Sequence, residues 1–414
     1  MKGFAGPLFA ACLASGAAAQ VPYHRVETPS PGVSVCPGGL CQAEALTGVF
    51  EALARAEAGG PPPVHILQIG DSHTAGDRIT GRLRAALQAR FGDGGRGVLP
   101  PGIPHSGYAP LQVEVVASGW TTTLAPLVGD TGYVRAGVGL TGVQAITVQP
   151  GSTLTLRRDA SLPAFFRIEL CGDGPGRLQV AAGDEIRTVT FDEGGCRSFR
   201  PGEAHGQVEL RALDSTLSLD AVRLSNASAG IELSNLGVVG ATLRDLAARD
   251  QTVVARELAA WRPALIVLAF GTNEGFEERL DAWAYEALLR GQITRLRRLA
   301  PEASLLILGA PDALRAGVVN GCSADGRRAP PPSLAVVRDV QRRVAADMGV
   351  AFWDWHGRMG GDCSADRLAT REEPFVLRDR VHFSPVGADW IGGMLNSDLM
   401  AAYEDWSARR GEAN

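Results

Sequence analysis

Apolar positions along this chain follow two periodicities, and the pattern changes over twice. Val64–Ile69 is a short, mostly apolar run behind Pro61-Pro62-Pro63 and predicts a buried strand. It stops at Gly70, and from about Arg78 to near Phe91 the spacing becomes helical. Upstream, Leu46, Val49, Phe50, Leu53 and Ala54 recur at helical spacing and predict an amphipathic helix over 43–58, packed outside a sheet. Residues 20–42 are rich in Pro and Gly and predict extended chain. Gly92-Asp93-Gly94-Gly95-Arg96-Gly97 predicts a mobile loop; it has neither Walker nor dinucleotide spacing, so it does not predict a phosphate site.

From about Tyr108 to Glu232 the helical period disappears. Short alternating or β-branched runs follow one another: Leu111–Val116, Ile146–Val148, Thr153–Leu156, Phe165–Leu170, Leu178–Val180, Thr188–Phe191, Gln207–Leu213 and Ala221–Leu224. Gly, Pro, Asp and Ser turns separate them, which predicts an antiparallel β-sandwich. After Ile231 strands and helices alternate. Strands are expected at Leu236–Val239, Ala264–Phe270, Ser304–Leu308 and Val350–Trp353; helices at about 242–261, 281–299, 333–348 and 385–403. That alternation predicts a doubly wound α/β fold with a parallel sheet. The sandwich is therefore an insertion, giving an α/β domain in two parts, 20–107 and 233–414, around an insert at 108–232.

Composition narrows the class. A chain of 414 residues with 45% apolar and 21% charged residues can bury a sizeable core, and its length favours two domains. A net charge of -5 without a basic block argues against nucleic acid and against electrostatic anchoring to a membrane. Lys2, the apolar run Pro7–Leu13 and Ala17-Ala18-Ala19 predict a cleaved signal peptide over 1–19, hence an exported, periplasmic or extracellular protein without a transmembrane segment. A lipobox ending at Cys12 is the competing pattern, but Phe9 stands three residues before that cysteine. The six other cysteines fall into three local groups, and their even number in an exported chain predicts disulfides Cys36–Cys41, Cys171–Cys196 and Cys322–Cys363. None has the two-residue spacing of a zinc site.

The chemistry gathers where strands of a parallel sheet end. Gly70-Asp71-Ser72 puts a serine between a strand and a helix. Gly240 follows the strand after the insert, and Gly271-Thr272-Asn273-Glu274 follows the Ala264–Phe270 run. Asp379-Arg380-Val381-His382 precedes the last helix. Taken singly, each is an ordinary turn or structural pair. Together they supply a complete kit for acyl transfer: Ser72 as nucleophile, His382 as base, and Asp379 to fix the imidazole tautomer. The Ser72 N–H, the Gly240 N–H and the Asn273 amide would face an oxyanion, each donor worth roughly 3 kcal/mol. Asp71 braces the turn, and His73 packs beside it without acting as base.

These residues resemble the signature blocks of the SGNH (GDSL-type) hydrolase superfamily. Block I is Gly70-Asp71-Ser72-His73, block II contains Gly240, block III is Gly271-Thr272-Asn273-Glu274 and block V is Asp379-x-x-His382. The resemblance covers roughly 43–107 and 233–404. His73 in place of Leu, Glu274 in place of Asp, and the insert after block I are similar to bacterial peptidoglycan O-acetylesterases. It implies Ser72, Asp379 and His382 as triad, Ser72, Gly240 and Asn273 as oxyanion hole, and no cofactor or metal. It also implies O-acetylated peptidoglycan as the glycan partner. The same blocks serve esterases of other polysaccharides and lipids, and acetyltransferases. A glycan-binding protein with a relic hydrolase domain is the alternative outside enzymes. Within the insert, Trp120, Tyr133 and Phe165 are candidates for stacking on sugar, with core packing favoured. His356 is expected to pack at the end of a buried strand.

Overall fold

The computed structural model describes residues 29–124 and 137–412. The signal expected over 1–19, Cys12 and Tyr133 lie outside these residues. Six parallel strands form the centre of one sheet, in the spatial order Ala351–Trp353, Ser304–Leu308, Leu265–Ala269, Val64–Gly70, Ile231–Gly237 and Asp93–Leu99. Chain order reverses at Val64–Gly70, whose two neighbours come later in sequence. That strand is the topological switch point, beyond whose carboxyl end such sheets bind ligands. All seven of its residues are buried. The apolar helix faces of Thr47–Glu57, Gln251–Trp261, Ala282–Leu299 and Leu334–Met348 supply much of the remaining core. Among the described residues, no helix is long and apolar enough to cross a membrane.

The glycine-dense stretch expected to be a mobile loop is instead the strand Asp93–Leu99, buried over most of its length. Asp93 and Gly95 pair with Ile231 and Glu232 on one side, and Gly95, Gly97, Val98 and Leu99 pair with 222–225 on the other. Gly95 and Gly97 take φ values of 142° and 77°, and a Cβ on Gly95 would come 2.5 Å from Leu224 O. Glycine lets the two neighbouring strands close on this one where a side chain would hold them off.

The inserted strands do not form a sandwich of their own. Five of them make a separate antiparallel sheet ordered Glu185–Phe191, Gly176–Ala182, Gln207–Ala212, Thr153–Arg158 and Val113–Ser118. The facing layer is an extension of the central sheet: Ser218–Ser225 pairs antiparallel with both Asp93–Leu99 and Arg167–Asp173. Leu154, Leu156, Phe165, Ile168, Val180, Leu210 and Val222 fill the space between the layers. Phe165 is fully buried there and Trp120 packs at its margin, so Phe165 has no face to offer a sugar. The described residues from 31 onward accordingly form one compact unit.

Other boundaries moved for local reasons. The strand after the insert runs Ile231–Gly237, earlier than the apolar run suggested. Its Glu232 pairs through one oxygen with Arg223 (2.7 Å) and its Ser234 with His65 (2.7 Å), so these polar residues sit inside the sheet with a partner each. The helix expected over 242–261 breaks into Leu243–Ala247 and Gln251–Trp261, because Asp250 caps the second by accepting the Thr252 and Val253 N–H groups. The last helix extends to Glu412. All three disulfides join the cysteines paired above.

Candidate active site

Gly70 is the register partner of Gly237 in one neighbouring strand and of Ala269 in the other. Three strands therefore end level, and the turns that follow, at 71–73, 238–241 and 270–274, lie side by side. Gly70 and Gly237 have no room for a Cβ: one would strike Thr74 and Ala269, the other the backbone of Ala75. Their small size seats the short helix Ser72–Ala75 directly on the strand ends. Asp71 caps it, its Oδ1 accepting the His73 N–H at 2.9 Å. The neighbouring turns are tied together. Asn273 Nδ2 donates to Ala241 O (2.9 Å), and the Leu243 N–H donates to Glu274 Oε1 (2.8 Å). Burial, with the nearby Asp71 charge, pushes the Glu274 carboxyl up to about 7 against the opposing backbone N–H bonds.

His382 arrives from the loop before the last helix. Val376 bridges Phe383, Leu377 N–H donates to His382 O (2.7 Å), and Leu314 N–H donates to Arg380 O (2.9 Å). Arg380 adopts φ 61° and donates from Nε to Asp366 Oδ1 at 3.0 Å. Within that frame Asp379 Oδ1 accepts the N–H groups of Val381 (2.9 Å) and His382 (3.0 Å), which leaves Oδ2 for His382 Nδ1 at 2.7 Å. His382 Nε2 lies 2.9 Å from Ser72 Oγ. Partial burial alone would raise the Asp379 carboxyl; the bonds from the His382 ring and the two N–H groups outweigh it and hold the group below its ordinary value. An ionised Asp379 keeps the proton on Nδ1, so the lone pair of neutral His382 points from Nε2 at the serine hydroxyl. Such a line can move a proton off the hydroxyl as it attacks a carbonyl carbon.

The structure thus brings Ser72, His382 and Asp379 into one hydrogen-bonded line and sets Gly240 and Asn273 on the two adjoining strand ends. Asp71 and His73 lie directly behind. A cavity of about 250 Å³ opens beside this edge, between Ala75, Gly237–Val239 and the Pro100, Pro104, Tyr108 and Pro110 side chains.

His356 departs from expectation. It lies just past the strand in the short helix Trp355–Arg358, half-exposed, with Nε2 2.9 Å from Asp362 Oδ1. Asp354 is occupied elsewhere, accepting from Ser34, Val35 and Gly357. Asp312, His356 and Asp362 bring ligand atoms within 4.8 Å of one another. Arg338 stands 3.4 Å from Asp362 and its charge also acts on Asp312, so the protein itself provides the positive charge there. Missed in the sequence was the aromatic wall behind the site, where Trp355 stacks on Phe383 and meets His73 edge-on. Trp353-Asp354-Trp355 was its signal, but the partners lie far apart in the chain.

Residues 213–390 match the family described as GDSL-like lipase/acylhydrolase. The match holds Gly240, Asn273, Asp379 and His382 but begins well after Ser72, since the inserted strands separate the nucleophile from the other blocks. A solved structure of a peptidoglycan O-acetylesterase is 26% identical, with a TM-score of 0.76, and covers 88% of this chain and 99% of its own. Weaker likenesses include an acetyl xylan esterase (15% identity, 40% of this chain and 79% of that one, TM-score 0.30). Another is a family 2 carbohydrate esterase with a carbohydrate-binding domain from Corynascus thermopiles (Myceliophthora fergusii), at 12% identity, 70% and 99% coverage and TM-score 0.30. Neither bears on the site. No curated protein matches the chain in sequence.

Proposed function

Because the chain is an ester hydrolase of the SGNH (GDSL-type) superfamily, we propose that it removes O-acetyl groups from a cell-wall glycan, O-acetylated peptidoglycan above all. The observation that carries this is the line Ser72 Oγ–His382–Asp379 at the switch point of the sheet. The likeness to a peptidoglycan O-acetylesterase along nearly the whole of both chains supports the choice of glycan.

Ser72 Oγ attacks the acetyl carbonyl carbon while its proton passes to His382 Nε2. The oxyanion of the tetrahedral intermediate is met by the Ser72 and Gly240 N–H groups and the Asn273 amide. On collapse the sugar oxygen leaves with the proton from His382, and the acetyl group remains on Ser72. Water, deprotonated by His382, then releases acetate. The His382 and Asp379 side chains are 42% and 45% exposed, so water reaches the acetyl-enzyme, which favours hydrolysis over transfer to a second sugar. The inserted strands at 108–232 would hold the glycan against an α/β hydrolase formed by 20–107 and 233–414. Three disulfides agree with an exported protein working in an oxidising compartment.

Acetate release from O-acetylated peptidoglycan, with acetylated xylan alongside, tests the reading. Release from peptidoglycan at the greater rate is expected. Equal release would reduce the substrate to acetylated polysaccharides in general, and release from neither would end the proposal. Asn273→Ala should lower kcat by about 10²-fold with a much smaller change in KM, because its amide meets charge that exists only in the transition state. Steady-state kinetics on a chromogenic acetyl ester would measure this; an unchanged kcat would remove Asn273 from the oxyanion hole.

A further inference from the structure

Both ring nitrogens of His73 face atoms that only accept. Nδ1 lies 3.2 Å from Asp71 Oδ1, and Nε2 lies 3.0 Å from the backbone carbonyl oxygen of Val381. A neutral imidazole carries one N–H, so it would turn a bare nitrogen lone pair on one of these oxygens. The side chain is 3% exposed, which leaves little access for bulk water to mediate. We infer that His73 is a resident imidazolium that straps the nucleophile turn to the base loop and serves as a positioning residue for the reaction. This rests on the reading of Ser72 and His382 given above.

The connectivity makes the strap direct. His73 follows Ser72 in the chain, and Val381 precedes His382. A bond from the His73 ring to Val381 O therefore fixes, from behind, the separation across which Ser72 and His382 exchange a proton. The rest of the surroundings suit a cation held in place. Trp355 and Phe383 meet the ring edge-on, with centroids 5.4 and 5.9 Å away. Burial works against the charge, but the Asp71 carboxylate, the bonds to Asp71 and Val381, and the charge of Asp379 overcome it and raise the group above its ordinary value. The titratable neighbours are Asp71 on the same turn and, on the base loop, Asp379 and His382, whose ring centroid is 5.5 Å away. Glu274, on the adjoining strand end, feels the Asp71 charge in turn. A leucine at position 73 would fill the space and make neither bond.

A raised folded-state value sets the direction of the pH effect. The strap is complete below the ordinary histidine value, about 6.5, and is lost as pH rises through the higher folded value. Turnover should therefore fall on the alkaline side through His73.

The test compares kcat against pH for wild type, His73→Leu and His73→Gln, using a chromogenic acetyl ester. For His73→Leu the expected result is a fall of about tenfold or more in kcat at the optimum, KM within about twofold, and loss of the alkaline limb. His73→Gln, which can still donate one bond, should fall between. Wild-type kcat with an unaltered alkaline limb in His73→Leu would overturn the proposal. A second arm is independent of turnover: nitrogen-15 NMR of the imidazole rings in the full chain carrying Ser72→Ala. Near pH 7, where an ordinary histidine is mostly neutral, both His73 nitrogens should bear protons; a single protonated nitrogen would overturn the strap even if the leucine variant fails to fold. An inactive wild type would instead remove the esterase reading, with the imidazolium still judged by NMR.

Discussion

Ser72→Ala is expected to lower kcat toward acetyl esters by on the order of 10⁴-fold or more, the scale seen when a triad nucleophile is removed. The substitution takes away the only atom that can form the acetyl-enzyme. Little else changes. Among the described residues the hydroxyl's one protein partner is His382 Nε2, and His382 is open enough to solvent for water to take the serine's place. The backbone N–H of residue 72 survives in alanine, so part of the anion site remains. Alanine also suits the first position of the Ser72–Ala75 helix at least as well as serine. Thermal unfolding should therefore be nearly unchanged, and glycan binding should persist. Paired steady-state kinetics and melting curves would measure both. Wild-type turnover by the alanine protein would remove Ser72 from the chemistry; a large drop in melting temperature would mean that the hydroxyl is structural.

What could be read from the sequence was local, and what could not depended on partners far along the chain. Val64–Gly70 was legible because an unbroken apolar run bounded by prolines and a glycine has few other uses. The block residues were legible as a group because their residue types and order leave few other readings, and the structure brings Ser72, His382 and Asp379 into one hydrogen-bonded line. Asp93–Leu99 was missed because its place in the sheet depends on what its glycines omit, and hydrophobic patterning registers only the side chains present. Ile231–Gly237 was located late because Glu232 and Ser234 look like surface residues until Arg223 and His65 are seen beside them. The sandwich was legible as alternating strands, but no periodicity within 218–225 says that this strand pairs on one side with Asp93–Leu99 and joins the central sheet to the inserted layer. His73 stood next to the nucleophile in sequence, yet its charge depends on Val381, 308 positions away.

The largest effect on stability should come from Asp77, just beyond the Ser72 helix. Its carboxylate receives Arg84 Nη2 (2.6 Å), Arg96 Nη2 (2.9 Å), the Thr80 hydroxyl (2.7 Å) and the Leu111 N–H (2.8 Å). Arg84 and Arg96 have side chains only 0% and 1% exposed. Asp77→Ala would leave two guanidinium groups buried without their carboxylate, at a cost of about 3–5 kcal/mol. Against a typical total of about 5–15 kcal/mol, that is a large fraction. Asp77→Asn should cost less, since an amide oxygen still accepts from Thr80 or Leu111. Burial tends to raise the Asp77 carboxyl, but the charges of Arg84 and Arg96 with the hydrogen bonds from Thr80 and Leu111 outweigh it and hold it below its ordinary value. A depressed carboxylate contributes stability that is present above its unfolded value, about 3.9, and is lost as pH falls through the folded one. The gap between wild type and Asp77→Ala in urea unfolding, run with disulfides intact, should thus be wide at neutral pH and narrow toward about pH 2, below the reference carboxylate value. Coincident unfolding curves at neutral pH would mean that the two arginines find other partners. A gap that stayed constant into acid would mean that the carboxylate charge is not what holds them. Because Asp77 also anchors Leu111, at the entry to the inserted strands, its loss should loosen the link between the nucleophile helix and that layer together with the core.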